Sequence, residues 1–176
     1  MLCKQCSSEK WYHGTNHGIT QFHVEGIGNG LDEFGPGIYF SNFPEVSGAY
    51  GSNLYEVTTD PLKLVSAKSG RVSKAQVLKL ITMAPGYKDA LENWDYRPQI
   101  ALTEAVEGCM GEETPWDVFT QVWYEFYKYN APQWAKNMVK LGYDGCIYDR
   151  FGGTQFLILL NPVKIKTMQK VDKVTT

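Results

Sequence analysis

With 176 residues, 43% of them hydrophobic, the chain reads as one domain that buries a core without help from metals or disulfides. A formal net charge of −2 excludes a general polyanion-binding field. No run of 18 apolar residues occurs and the opening MLCKQCSSEKWYHGT has no apolar segment of a secretory signal, so no membrane association and a cytoplasmic location are expected.

The first residues carry Cys3 and Cys6 as a lone C-x-x-C. No second pair follows at finger spacing, so reduced thiols are expected there rather than zinc, as for Cys109 and Cys146. Trp11 and Tyr12 open a short strand that ends at His13-Gly14-Thr15. The glycines of GIGNG, residues 26–30, lack the strand before and helix after that a dinucleotide-binding turn requires, and read as loop. Ile38-Tyr39-Phe40 is a strand. Pro44 to Tyr50 forms one or two helical turns, with Asn42 the candidate N-cap. Leu54 to Thr58 alternates as a strand does, and Pro61 to Val65 continues extended.

From Ser73 to Leu141 the pattern turns helical. Ser73 caps a helix over Ala75–Met83 with Val77, Leu80 and Ile81 on one face. Thr114-Pro115 starts another, carrying Trp116, Phe119, Trp123, Phe126 and Tyr127. That stripe reads as core in preference to a base-stacking platform. Asn130 caps a third helix, stopped by Gly142. The chain then returns to strands at Cys146–Tyr148 and at Gln155–Leu160, the latter apolar enough to be buried on both faces. Pro162 ends it, and Val163–Ile165 can add an edge. Lys164, Lys166, Lys170 and Lys173 against Asp172 read as a solvated tail. Strands, helices, then strands make an α+β domain over residues 1–176.

Three polar features interrupt this apolar scheme. His13-Gly14-Thr15 follows the first strand. Ser47 and Tyr50 stand eight and eleven residues after Tyr39 in FGPGIYFSNFPEVSGAYG. Gln155 opens the most apolar strand, where a buried amide without partners costs on the order of 1–3 kcal/mol. With these motifs the chain resembles the ADP-ribosyltransferase superfamily, on its diphtheria-toxin-like and poly(ADP-ribose) polymerase-like side. That branch carries His, Tyr and usually Glu on three strands. WYHGT, GPGIYFS with the Ser47 and Tyr50 offsets, and GGTQFLILLNP stand in their order, and LGYDGCIY resembles the late strand entry. The likeness covers about residues 11–58 and 139–166.

The resemblance implies a split-sheet core with a helical insertion at about residues 66–141, between the second and third motif strands. It implies NAD as co-substrate and no metal. By the same resemblance Tyr50 stacks on the nicotinamide and Tyr39 supports its other side, with cation–π attraction to the flat cation. Gly14 main chain and the Ser47 hydroxyl meet the carboxamide. His13 hydrogen-bonds a ribose hydroxyl, with Thr15 nearby at the adenosine side. Catalysis falls to His13, Tyr39 and Gln155. Gln155 departs from the usual Glu and has no charge to act as a general base, so transfer of a single ADP-ribose is expected instead of polymer. The acceptor is a macromolecule, protein or RNA or DNA. The chain is similar to toxins or phage–host conflict effectors, and as a toxin it implies a neutralising partner protein. The other readings are a catalytically inactive binding module of this fold and an NAD glycohydrolase. Asp144 and Asp149, in turn-like positions, are left out of the catalytic set.

Overall fold

Strand-forming residues at both ends of the chain meet in one mixed sheet. The computed structural model describes residues 10–29, 33–95, 97–128 and 130–173; Cys3 and Cys6 lie outside them. The strands are β1 (Trp11–Thr15), β2 (Ile38–Ser41), β3 (Asn53–Thr59), β4 (Leu64–Ser66), β5 (Gly145–Asp149), β6 (Gln155–Leu159) and β7 (Ile165–Val171). Their order is β4-β5-β6-β2-β1-β3-β7. Among the described residues only β4 and β5 pair in parallel. A parallel joint requires a crossover instead of a hairpin. Here it is the helical region: α2 (Lys74–Thr82), α3 (Tyr87–Leu91), α4 (Pro98–Cys109), α5 (Pro115–Phe126) and α6 (Ala131–Lys140). A short helix, α1 (Pro44–Gly48), joins β2 to β3. The architecture is α+β.

Local chemistry accounts for the helix starts. Ser73 closes a capping box on α2: its hydroxyl accepts from Gln76 N and the Gln76 side chain accepts from Ser73 N. Thr114 accepts from Asp117 N at 3.2 Å to start α5, and Asn130 from Gln133 N at 3.2 Å to start α6. Asn42 does not cap α1, contrary to expectation. The N-cap is Phe43, without a side-chain bond, because Asn42 reaches across to the turn before β6.

The aromatic stripe of α5 is core. Trp116, Phe119 and Phe126 are fully buried, and Trp116 meets Trp134 of α6 edge to face at 5.7 Å. Three polar handles inside are matched. Trp134 Nε1 donates to Phe119 O, Tyr127 OH donates to Leu80 O, and Asn137 Nδ2 donates to Met83 O. β6 lies between β5 and β2 with Phe156–Leu159 all buried, which explains its continuous apolar run.

The stretch Pro61–Val65 is extended at its end, as expected, but in a strand separate from β3. The chain turns after Thr59, and Leu64–Ser66 joins the far end of the sheet beside β5. The lysine-rich end is not a loose tail: Ile165–Val171 pairs with β3 along its length. Lys166 and Lys170 are exposed there, while Ile165 and Met168 pack on the core; charged side chains on an edge strand discourage pairing with another chain.

Candidate functional site

β1 pairs with β3 from Trp11↔Val57 to Thr15↔Asn53, yet it meets β2 at one residue pair, Tyr12↔Ser41. The sheet is thus continuous in order and nearly divided at this joint. Pleat alternation from that pair places Gly14 and Tyr39 on the face of Ser41, and His13 and Phe40 on the opposite face.

α1 lies on the Ser41 face. Ser47 Oγ donates to Tyr12 O at 2.6 Å and lies 2.8 Å from Ser41 Oγ, which donates to Phe43 O. Ser47 is buried by this. A Cβ at position 14 would fall inside the Ser47 carbonyl, with Tyr50 Cβ at 3.5 Å. Only glycine lets α1 come this close to β1, and the closeness brings Tyr50 beside Gly14.

His13 sits across the open joint. Its Nδ1 is 2.8 Å from Tyr39 O. A carbonyl only accepts, so Nδ1 carries the proton and Nε2 is left as an acceptor. Phe22 meets the ring edge-on at 5.0 Å and Phe40 lies at 5.5 Å. Burial pushes the imidazole below its ordinary value, outweighing the bond to Tyr39 O. The ring is held neutral. Thr15 Oγ1 accepts from His17 N at 3.2 Å.

Tyr39 turns toward a second aromatic group. Its hydroxyl donates to Gly35 O at 2.5 Å and accepts from Phe34 N at 3.0 Å. Trp116 Nε1 of α5 donates to Phe34 O, so the helical region fixes this segment. Gly35 has φ +99°, and a Cβ there would strike Thr120. The Phe34 ring stacks on Tyr148 of β5 at 4.2 Å and lies 6.1 Å from Phe156 of β6. Arg150 spreads its guanidinium over Phe34 and Phe156 at 5.0 and 5.6 Å and pairs with Glu33.

A cleft of about 840 Å³ opens beside this group, its lining including Tyr50, Tyr148, Arg150, Phe151, Thr154 and Phe156. Tyr50 is 58% exposed. Asp149 also borders it.

Gln155 stands at the start of β6, opposite Asp149 in the ladder. Asn42 Oδ1 accepts from Gln155 N at 2.8 Å, Asn42 N donates to Gln155 O, and Asn42 Nδ2 donates to Gly153 O. The Gln155 side chain donates through Nε2 to Asp149 Oδ1 at 2.7 Å. Lys68 Nζ lies 2.6 Å from Asp149 Oδ2. First Lys68 and then Gln155 hold the Asp149 carboxyl below its usual range. Asp144 is buried and structural. It accepts from Lys63 N and Asn161 Nδ2, and ties together the ends of β4, β5 and β6.

The structure therefore brings Gly14, Ser47 and Tyr50 to one junction at the cleft. Tyr39 shares their face and packs with Phe34. His13 occupies the opposite face, and pleat alternation from Phe156 places Gln155 and its partner Asp149 on that face as well. Ser47 is occupied in holding α1. Tyr148, Phe156 and Arg150 line the cleft and were not singled out from sequence. Their signal was present: Tyr148 and Phe156 are cross-strand partners on the face of Ser41. Burial pushes the Cys109 thiol up to about 12 and raises Cys146 further, which disfavours the reactive thiolate. Among the described residues no cluster of His, Cys, Asp and Glu could hold a metal ion, and no helix is long and apolar enough to cross a membrane.

No protein-family model and no curated protein sequence matches the chain. Among solved structures, similarity extends to a chain described as "Crystal structure of an anti-CRISPR protein". It is 16% identical with a TM-score of 0.39, covering 94% of this chain and 98% of that one. A likeness at that level has no bearing on function.

Proposed function

We propose that the protein is an NAD-dependent mono-ADP-ribosyltransferase, built on an ADP-ribosyltransferase core, that moves one ADP-ribose from NAD to a macromolecule. The observation that carries this reading is the Tyr50 cleft. An exposed tyrosine stands beside Gly14, where α1 rests on β1, and the cleft's other wall is the Tyr148 and Phe156 pair. Its volume, about 840 Å³, falls within the range of about 300–1,000 Å³ common for small-molecule sites. A flat cationic ring gains burial and cation–π attraction between such walls. Arg150 at the margin supplies positive charge for a diphosphate.

In the proposed reaction the bond from ribose C1′ to the nicotinamide nitrogen breaks, and its electron pair neutralises the pyridinium. The ribose becomes oxocarbenium-like, and an acceptor nucleophile bonds to C1′ and releases its proton to solvent. The neutral His13 ring, with Nε2 an acceptor, suits a ribose hydroxyl. Gln155 suits the 2′-hydroxyl of the other ribose as an acceptor. Rate comes from holding that ribose while charge develops.

The test is incubation of the purified chain with NAD labelled in its adenylate half and with cell lysate. Macromolecular label is expected, and nuclease or protease treatment assigns the acceptor. Nicotinamide release with free ADP-ribose as the only labelled product would make the chain a glycohydrolase. The amide at position 155 favours a second reading, an inactive module that binds NAD; NAD binding without any nicotinamide release would establish it.

A further inference from the structure

We infer that Asp149 is a positioning residue for Gln155, setting which end of its amide faces the substrate. The inference rests on the transferase reading. An ionised carboxylate only accepts hydrogen bonds. Asp149 Oδ1 lies 2.7 Å from the Gln155 amide nitrogen, so the nitrogen must be the end turned to Asp149. Oε1 is then the end turned away. Lys68 at 2.6 Å from Oδ2 keeps Asp149 ionised and hence unable to donate. The main chain of Gln155 is clamped as well, with N to Asn42 Oδ1 and O to Asn42 N. About its last torsion a Gln amide has two nearly equivalent settings, and the bond to Asp149 selects one of them.

The consequence answers the departure from Glu. A carboxylate at position 155 would present an acceptor to a ribose hydroxyl whichever way it turned. A free amide would present a donor half the time. With Asp149 behind it the amide presents an oxygen, and the bond to a charged acceptor polarises it further. Asp149 and Gln155 face each other across the ladder at the end of β5 and the start of β6, and pleat alternation from Phe156 puts the oriented amide on the face that carries His13.

The test is a set of variants read by kcat and KM for nicotinamide release. Asp149→Ala is expected to lower kcat about tenfold, one hydrogen bond's worth, with KM for NAD little changed. Asp149→Lys, which can only donate, reverses the amide and lowers kcat further. In a Gln155→Ala background neither change has an additional effect. In a Gln155→Glu background the sign reverses: Asp149→Asn raises kcat, because it removes a like charge beside the introduced carboxylate. A purely structural Asp149 would lower kcat in every background, and that result overturns the inference. So does wild-type kcat in Asp149→Lys.

A second readout works without turnover. The Gln155 side-chain amide protons, assigned by their loss in Gln155→Ala, are expected downfield in the nuclear magnetic resonance spectrum and shifted to the free-amide position in Asp149→Ala. If wild type releases no nicotinamide, the transferase reading fails, and this spectrum still decides the amide's orientation. Unchanged amide shifts in Asp149→Ala overturn it.

Discussion

Gly14 is the residue at which stability and function meet. Its missing Cβ lets the Ser47 carbonyl rest on β1, and Tyr50 follows from that contact. Gly14→Ala is expected to lose about 1–3 kcal/mol, the usual range for overpacking, read as a lower denaturation midpoint with weaker NAD binding. His13 carries a different signature. Its folded value is lowered by burial. The stability of the neutral ring is therefore present in full above the ordinary value of 6.5 and lost as the pH falls through the lowered folded value, because the unfolded chain takes up the proton first. Denaturation at about pH 7.5 and about pH 5 is expected to show a smaller loss for His13→Gln than for wild type. The motif spacings were legible because His13, Gly14, Tyr39 and Gln155 sit in short strands whose neighbours are apolar. The Ser47 bond to Tyr12 O and the Asn42 clamp on Gln155 were not. Both join residues far apart in the chain, and a polar residue near a helix start reads as a cap until its partner is known.

At the scale of elements, helix starts were readable because a cap is local chemistry. Ser73, Thr114 and Asn130 each accept from the third residue onward. Thr114→Ala is expected to cost about 1 kcal/mol, measured by urea denaturation. Trp116 does more than fill the core. It meets Trp134 and donates to Phe34 O, which seats the ring stacked on Tyr148. Trp116→Phe is expected to keep most of the fold and still weaken NAD binding, since the ring is replaced but the donor is lost. Equal NAD affinity in that variant would mean the helical region does not brace the cleft. This brace was illegible in sequence: a tryptophan in an apolar stripe signals burial, and nothing in the stripe says where its N–H points.

Across the whole molecule, strand order is what periodicity could not supply. Alternation in Leu54–Thr58 and the apolar run at Gln155–Leu160 marked strands, but pairing depends on contacts remote in sequence. The parallel β4–β5 joint and the return of β7 to β3 follow from neither pattern. Lysines at one end of a chain resemble a solvated tail, and two of them, Lys166 and Lys170, are instead exposed positions of the edge strand β7. Deleting residues 165–176 is expected to expose the β3 edge and give an aggregating chain, seen as loss of the monomer peak in size-exclusion chromatography; a soluble, fully folded product would contradict the role given to β7. The central claim concerns the cleft and its chemistry, and the most direct measurement is release of nicotinamide from NAD by the purified chain, wild type beside His13→Ala, Tyr39→Ala and Tyr50→Ala. Release by wild type that falls to background in the first two and drops strongly in the third is the predicted result; no release by folded wild type, or equal release by all four proteins, would contradict it.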